Sequence, residues 1–205
     1  MASPSIKLWY FDFKGRAEGI RLLLSAAGKP FEDIRFKREE WPTYKKDAPF
    51  GQSPYVEIDG VKYGQSLAIL QYFAREFGLY GKSNMEAFSI DQVLQLIQDL
   101  VPLAGKILHE ADPAKKLEHV QNLKEKESPR VFGYIEKMLE KNGTGYLVGN
   151  ELSMGDIAIF DLCNSAMKDA LAPMTDYPLI SAVVDKVKQQ EGIKAYLASR
   201  PDTTL

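Results

Sequence analysis

The stretch IKLWYFDFKGRAEGIRLLLSAAGKPFEDIRF, residues 6–36, decides the fold of the first part of the chain. Apolar and polar residues alternate over residues 6–10, which is the period of a β-strand. From residue 17 to residue 27 the apolar residues recur at helical spacing, and Gly28 stands where a C-terminal cap belongs. Residues 31–36 alternate again. A strand joined to another through a helix normally runs parallel to it, so this stretch predicts a parallel β-α-β unit.

The segment that follows adds a hairpin and a second helix. Residues 37–51 are polar and irregular, which predicts a loop or a short frayed helix. The dipeptide Asp59-Gly60 between the apolar runs 55–58 and 61–63 is the signal of a type I′ turn. Apolar residues at helical spacing over 67–77 predict a helix. The first eighty residues therefore predict a small mixed sheet with helices packed on it.

Beyond residue 83 the patterns are helical and no strand is predicted. A long amphipathic helix is expected from Glu86 to Glu110, kinked at Pro102 because a mid-helix proline removes a hydrogen bond. The further predicted helices span residues 114–141, bent at Pro129, and residues 154–170, 180–190 and 193–199. We therefore predict two domains, an α/β domain over 1–80 and an all-helical domain over 84–205.

Composition narrows the class of protein. Lys and Arg number 26 against 28 Asp and Glu, so the net charge of −2 offers no footprint for nucleic acid. The single cysteine, Cys163, excludes an intramolecular disulfide and a cysteine metal cluster, and its apolar helix predicts a core position. The N-terminus shows no signal-peptide pattern and no apolar run is long enough to span a membrane. A soluble, cytoplasmic protein is expected.

Several motifs follow one another along nearly the whole chain. They are Trp9-Tyr10-Phe11 with Gly15-Arg16-Ala17-Glu18, Trp41-Pro42, Pro49-Phe50-Gly51-Gln52-Ser53-Pro54, Gln65-Ser66-Leu67-Ala68-Ile69, and Leu147-Val148-Gly149 with Ser153-Met154-Gly155-Asp156. In this order and spacing the chain resembles the cytosolic glutathione S-transferases. Trp41 and the Gly-Arg-Ala-Glu run are similar to the sigma type, which includes helminth and insect enzymes and the haematopoietic prostaglandin D synthases. The resemblance implies a thioredoxin-like N-terminal domain, an all-α C-terminal domain and a homodimer.

The resemblance implies that Tyr10 is the catalytic hydroxyl donor to the glutathione sulfur. A cysteine thiol has a pKa of about 8.5, and lowering it by ~2 units needs ~2.7 kcal/mol of preferential thiolate stabilisation. A hydroxyl aimed at the sulfur in a partly dry site supplies much of this. Arg16 is expected to support the sulfur electrostatically. From the residues alone, Tyr10 also fits a core tyrosine, and Arg16 also fits a structural ion pair at a helix start.

The glutathione-binding residues that the resemblance implies fall into two groups. Ser53, before a cis Pro54, pairs its main chain with the cysteinyl part, and Gln52 reaches toward the glycyl end. Trp41 and Lys45 hold the glycyl carboxylate by indole N–H and ammonium. Without the resemblance, Pro54 fits an ordinary strand start, and Trp41 and Lys45 are unremarkable loop residues.

The second group binds the γ-glutamyl end. Ser66 begins a helix, and free N–H groups at a helix N-terminus suit a carboxylate, so Ser66 with Gln65 alongside would bind the γ-glutamyl carboxylate. A plain helix cap is the alternative reading of Ser66. The family places an acid at the position of Asp99, donated by the partner subunit, to hold the γ-glutamyl ammonium. A complete site would then need a dimer.

The expected electrophile pocket is formed by residues of both domains. Its predicted members are Phe11, Phe13, Leu103, Ile107 and the C-terminal Leu205. A capping box is predicted separately at Ser153-Met154-Gly155-Asp156, with a role in folding and not in catalysis.

The expected activity is transfer of glutathione to small hydrophobic electrophiles, with peroxides as further candidate substrates. Glutathione is a co-substrate, and no prosthetic group, metal, nucleic acid or membrane partner is expected. Prostaglandin D synthesis is an alternative, weakened because Lys106 stands where such synthases carry a large aromatic residue. A non-catalytic crystallin-like or ligand-carrying relative is a second alternative, and a scaffolding domain of translation-factor type is a third.

Overall fold

The computed structural model describes residues 4–203, and their contacts divide them into two units. The first unit holds the described residues up to Leu79 together with those from Gln190 onward, and the second spans Tyr80–Gln189. The predicted domains were 1–80 and 84–205, and the contacts divide the described residues after Leu79. The last helix, which the prediction assigned to the second domain, clusters with the first unit.

The first unit contains a four-stranded sheet with the order β2-β1-β3-β4. Strands β1 and β2 are parallel, whereas β1–β3 and β3–β4 are antiparallel. This confirms the predicted mixed sheet. The elements are β1 (Ile6–Phe11), α1 (Glu18–Ala26), β2 (Glu32–Phe36), α2 (Trp41–Lys45), β3 (Tyr55–Ile58), β4 (Val61–Gly64), α3 (Ser66–Glu76) and α10 (Glu191–Ser199).

Local chemistry explains the turns of the first unit. Asp59 and Gly60 have φ angles of 48° and 85°, so both central residues of the hairpin lie at positive φ, as a type I′ turn requires.

Alternate residues of β1 face opposite sides of the sheet. Leu8 and Tyr10 are buried on one side, while Trp9 contacts Tyr44 of α2 on the other, with ring centroids 5.6 Å apart.

Helix α10 packs closely on α1. A Cβ atom on Gly192 would lie 2.0 Å from the carbonyl oxygen of Ser25, so only a glycine permits this approach. The side chain of Gln190 donates to the carbonyl of Ala26 over 3.1 Å and also caps α10 by accepting from the N–H of Ile193. These contacts explain why α10 belongs to the first unit.

The second unit is helical, and no strand occurs among the described residues from 80 onward. Its helices are α4 (Asn84–Gln98), α5 (Val101–His109), α6 (Pro113–Asn122), α7 (Ser128–Asn142), α8 (Met154–Cys163) and α9 (Pro178–Gln189). A π turn at Leu123–Glu127 joins α6 to α7, so the helix predicted over 114–141 is confirmed with one widened turn. Within residues 4–203, no helix is long and apolar enough to cross a membrane.

Two helix predictions were wrong. The helix predicted over 86–110 is two helices. Pro102 lies in the first turn of α5, where the N–H that proline lacks would have no partner within the helix. The helix predicted over 154–170 ends at Cys163. The side chain of Asn164 donates to the carbonyl of Phe160 over 2.8 Å, a local bond that competes with continuation of the helix.

The predicted capping box is present at the start of α8. Asp156 is fully buried, and one of its oxygens accepts from both the N–H and the hydroxyl of Ser153, over 2.8 and 2.7 Å. Its other oxygen accepts from the N–H of Leu147 over 2.7 Å. Burial raises the pKa of Asp156, and these three donors act in the opposite direction. The carboxylate therefore joins the α8 N-terminus to the preceding loop.

Candidate functional site

A cleft of about 420 Å³ opens in the first unit where the loops after β1, β2 and the turn before β3 meet the start of α3. Seven of the residues predicted for catalysis or glutathione binding line it. The complete lining is Phe11, Arg16, Trp41, Gly51, Gln52, Ser53, Pro54, Gln65 and Ser66. The structure therefore brings together residues as far apart in the sequence as Phe11 and Ser66.

Tyr10 lies near the end of β1, next to the lining residue Phe11, and does not itself line the cleft. Its side chain is 6% exposed, and its hydroxyl oxygen accepts from the backbone N–H of Arg16 over 3.2 Å. Burial raises the pKa of Tyr10, while that N–H and the charges of Arg16, Arg21 and Arg38 act in the opposite direction. Tyr10 is thus protonated at neutral pH. Its oxygen accepts from the Arg16 N–H, and within residues 4–203 its hydroxyl donates to no protein acceptor, so the proton is available for a ligand.

Gly15 allows the chain to wrap tightly around that hydroxyl. Its φ angle is +42°, and a Cβ atom there would lie 2.6 Å from the Tyr10 oxygen and 2.8 Å from Phe13 Cε2. Any other residue would therefore both strain the backbone and collide with the hydroxyl. The glycine of the Gly-Arg-Ala-Glu run is needed for this close approach.

Trp41, the first residue of α2, forms one wall of the cleft. Its indole stacks on Phe36 with 5.7 Å between ring centroids and contacts Phe11 at the same separation. Lys45 follows one turn later on the same helix and does not line the cleft itself. Its Cε lies 3.5 Å from the position of a Cβ on Gly51, so its side chain passes beside the cleft-lining turn.

The segment before β3 also lines the cleft, through residues 51–54. The peptide bond between Ser53 and Pro54 is cis, as the resemblance implied. The Ser53 hydroxyl donates to the carbonyl of Trp9 over 3.4 Å, which directs this side chain toward β1. The Gln65 side-chain amide donates to the Gln52 side-chain oxygen over 2.8 Å, and both residues line the cleft. Two predicted binding residues are therefore hydrogen-bonded to each other.

The N-terminus of α3 also borders the cleft, through Gln65 and Ser66. Gln65 is the N-cap residue and has φ +71°, a strained conformation for a side chain larger than glycine. Ser66 begins the helix, as predicted, and the first N–H groups of an α-helix have no partner within it. This end of the cleft can therefore bind a carboxylate.

The cleft carries positive charge without a balancing acid. Arg16 is the charged side chain of the lining, and no carboxylate belongs to that set. Within residues 4–203, no carboxylate lies within ion-pair distance of Arg16, so the alternative reading of Arg16 as a structural ion pair is not supported. The site suits an anionic ligand.

Phe11 also borders a second cavity of about 220 Å³ in the same unit, whose lining includes Phe13. The Phe11 and Phe13 rings stack in parallel with centroids 5.5 Å apart. Of the other residues predicted for the electrophile pocket, Leu103 is half-buried and Ile107 is buried, both on α5 of the second unit. Leu205 lies outside the described residues.

Asp99 lies in the second unit, at the end of α4, and its carboxylate is exposed. Arg130 pairs with it over 3.5 Å. Asp99 is therefore not among the residues that the structure brings to the cleft, and its predicted role depends on a partner subunit.

Sequence reasoning missed two charged residues near Tyr10. Glu18 and Arg21 of α1 are 2% and 0% exposed, and they form an ion pair with each other over 3.3 Å. One signal was available: Arg21 stands one turn after Ala17 and three residues before Leu24, within the apolar face of α1. A charge in such a stripe indicates either a buried ion pair or a functional contact.

Comparison with known proteins finds glutathione S-transferases as relatives of both units. The family model "Glutathione S-transferase, N-terminal domain" matches residues 4–75, and "Glutathione S-transferase, C-terminal domain" matches residues 98–200. The chain is 36% identical over 211 residues to "Glutathione S-transferase 1" of Ascaris suum, an alignment that covers 98% of each chain.

Solved structures of similar proteins match nearly the whole chain. The structure of prostaglandin synthase D of Nilaparvata lugens is 35% identical with a TM-score of 0.88, covering 98% of this chain and 100% of that one. The crystal structure of monomeric Na-GST-3, a glutathione S-transferase from Necator americanus, is 31% identical with a TM-score of 0.84, covering 98% and 100%.

Proposed function

Because this chain belongs to the glutathione S-transferase family, we propose that it is a sigma-type transferase that activates the glutathione thiol through the hydroxyl of Tyr10. The thiolate attacks the electrophilic carbon of small hydrophobic substrates, and peroxides are further candidate substrates. One observation carries the proposal: the buried Tyr10 hydroxyl accepts from the backbone N–H of Arg16, which lines the cleft, and within residues 4–203 it donates to no protein acceptor.

Thiolate formation follows from two contributions in the first unit. A hydrogen bond donated to a thiolate is a charge-assisted bond, stronger than one donated to a neutral thiol, so it lowers the thiol pKa. The positive charge of Arg16 at the cleft adds to this, because an opposite charge nearby favours the ionised form. Together they supply the ~2.7 kcal/mol that a shift of ~2 pKa units requires.

The walls of the cleft suit the glycyl and cysteinyl parts of the tripeptide. In the proposed complex, the Trp41 indole N–H and the Lys45 ammonium bind the glycyl carboxylate, and Gln52 lies beside it. The backbone of Ser53, before the cis bond to Pro54, pairs with the cysteinyl residue. The support is that Trp41, Gln52, Ser53 and Pro54 line one cleft and that Lys45 lies beside it.

The γ-glutamyl end binds at the start of α3 in this proposal. Its carboxylate accepts from the N–H groups near Ser66, with Gln65 alongside. Its ammonium needs an acid, and the described lining of the cleft offers none. This supports the proposal that Asp99 of the partner subunit supplies the acid, and that the active form is a homodimer.

The electrophile binds next to the sulfur, against the stacked rings of Phe11 and Phe13. Phe11 borders the glutathione cleft as well as this second cavity, so a substrate resting on it lies beside the glutathione cleft. Holding both reactants in this way adds the rate advantage of proximity. The roles of Leu103, Ile107 and Leu205 in this pocket stay predictions.

Prostaglandin D synthesis is the second candidate function. It is favoured by the 35% identity to a structure that is named as such a synthase. The same thiolate would serve an isomerisation, in which glutathione is regenerated. Lys106 in place of an aromatic residue favours the transferase.

The test is conjugation of glutathione to a generic aryl halide by the wild-type protein and by Tyr10→Phe, after binding to glutathione resin. The proposal expects the wild type to conjugate and both proteins to bind the resin. Turnover by the variant should fall by ~10²-fold, the scale of one lost electrostatic donor.

Three other outcomes would contradict parts of the proposal. Resin binding without conjugation by the wild type would favour the isomerase or a carrier protein. Equal turnover by Tyr10→Phe would remove Tyr10 from the mechanism. Failure of the wild type to bind the resin would contradict the glutathione site itself.

A further inference from the structure

Arg21 is a buried cation beside the proposed thiolate-activating tyrosine. Its side chain is 0% exposed, and Glu18 and Asp33 neutralise it at N–O distances of 3.3 and 3.0 Å. One of its terminal nitrogens, Nη2, is buried and has no hydrogen-bond partner within the described residues. Burying such an ion pair often gives no more stability than well-packed apolar residues would. Stability is therefore a poor explanation for an arginine here.

The contacts of Arg21 point to the turn that surrounds the Tyr10 hydroxyl. Its Nη1 donates to the carbonyl of Phe13 over 3.0 Å and to that of Lys14 over 3.3 Å. The next two residues are Gly15 and Arg16, and the N–H of Arg16 donates to the Tyr10 oxygen. A single guanidinium thus holds the two peptide groups that precede the donor to Tyr10.

We propose that Arg21 is a positioning residue for thiolate formation. It fixes the turn of residues 13–16 so that the Arg16 N–H occupies the Tyr10 oxygen and directs the hydroxyl proton toward the sulfur. This inference rests on the proposed role of Tyr10. It adds a residue that touches neither glutathione nor the electrophile.

A second contact acts in the same direction. The guanidinium carbon of Arg21 lies 5.9 Å from the centroid of the Tyr10 ring. Its charge lowers the pKa of Tyr10, against the effect of burial. A phenol that is easier to ionise donates a stronger hydrogen bond to a thiolate, so both effects of Arg21 favour the ionised sulfur.

The C-terminal helix α10 and the residue after it contact Glu18, the ion-pair partner of Arg21. Glu18, the partner of Arg21, accepts from the Tyr196 hydroxyl over 3.0 Å and from Arg200 over 2.5 Å. All these residues belong to the first unit. Helix α10 is therefore connected through Glu18 and Arg21 to the turn that surrounds Tyr10.

The experiment measures the thiol pKa of bound glutathione from the ultraviolet absorbance of the thiolate as a function of pH. The variants are Arg21→Lys, which keeps the charge but loses the forked geometry, and Arg21→Gln, which loses the charge. Each is made alone and in the Tyr10→Phe background. Arg35→Gln is the matched control, because Arg35 also donates to Asp33, over 2.8 Å, but donates to neither carbonyl of the turn.

If Arg21 acts through Tyr10, Arg21→Lys raises the thiol pKa by about 1 unit, a tenfold loss of thiolate at low pH. It adds nothing in the Tyr10→Phe background, and Arg35→Gln leaves the thiol pKa unchanged. The dissociation constant for glutathione stays within about threefold, since no binding contact is removed. Arg21→Gln also raises the thiol pKa when Tyr10 is present and adds nothing in the Tyr10→Phe background. Melting curves verify that each variant is folded.

The inference is overturned if Arg21→Lys is folded and leaves the thiol pKa unchanged. It is overturned equally if the shift is the same size with and without the Tyr10 hydroxyl, or if Arg35→Gln reproduces it. The proposed function fails separately, and visibly, if Tyr10→Phe alone leaves the thiol pKa unchanged.

Discussion

Replacing Gly15 by alanine adds one methyl group against the Tyr10 hydroxyl, the proposed donor to the glutathione sulfur. The new Cβ would lie 2.6 Å from the Tyr10 oxygen, whereas ordinary van der Waals contact begins at 3.4 Å. The hydroxyl must therefore retreat by 0.8 Å, the difference between those two distances. Catalytic groups tolerate displacements of only about 0.5 Å.

The expected loss of activity follows from that displacement. A misplacement near 1 Å costs on the order of 10²-fold in rate, so kcat/KM for conjugation should fall by about 30–100-fold. The backbone adds a separate cost in stability. At φ +42° an alanine lies in the left-handed region, which costs about 1–2 kcal/mol in the free energy of unfolding.

Gly28→Ala is the matched control. Gly28 has φ +62°, and nothing lies within 4 Å of a Cβ built on it. Gly28→Ala should lose about 1–2 kcal/mol in urea unfolding, and Gly15→Ala should lose that amount plus about 1–3 kcal/mol for its steric clash. Only Gly15→Ala should lose conjugation activity with saturating glutathione. If Gly15→Ala keeps the activity of Gly28→Ala, the position of the Tyr10 hydroxyl does not limit the reaction and the reasoning is refuted.

Three further predictions concern parts of the fold. Asp156→Ala leaves the N–H of Leu147 and that of Ser153 without an acceptor, so the free energy of unfolding should fall by about 3–5 kcal/mol. A loss below about 1 kcal/mol in urea titration would contradict this. Gly192→Ala places a methyl group against the Ser25 carbonyl of α1, so the free energy of unfolding should fall by about 1–3 kcal/mol. An unchanged melting temperature would contradict this prediction. Burial raises the pKa of the Cys163 thiol from 9.0 to about 12, so alkylation of the native protein at pH 8 should be at least about 10²-fold slower than in urea, and equal rates would be the contrary result.

The β-α-β unit and the hairpin were predictable because their signals are local. Period-two alternation, helical spacing and the Asp59-Gly60 turn each fix the backbone of a few consecutive residues, and all three are observed. Helix ends were harder. Pro102 fits both a kink within a helix and the first turn of a new one, and only the structure distinguishes these readings.

The arrangement of the site depended on long-range packing that no local pattern contains. The resemblance supplied the residue types, and the structure brings Arg16, Trp41 and Gln65 to one cleft. The hydrogen bonds from Arg21 to the carbonyls of Phe13 and Lys14 were not predictable, because they depend on where α1 lies against the loop after β1. A charged residue on an apolar helix face was the available signal.

The central claim, that Tyr10 converts bound glutathione to its thiolate, is tested most directly by spectroscopic titration of the bound thiol. The wild-type complex should titrate about 2 units below the ~8.5 of a free cysteine thiol, and Tyr10→Phe should recover at least about 1 unit of that shift. Retained binding of glutathione by the variant makes the comparison valid. A bound thiol that titrates at the same pH in both proteins would contradict the claim.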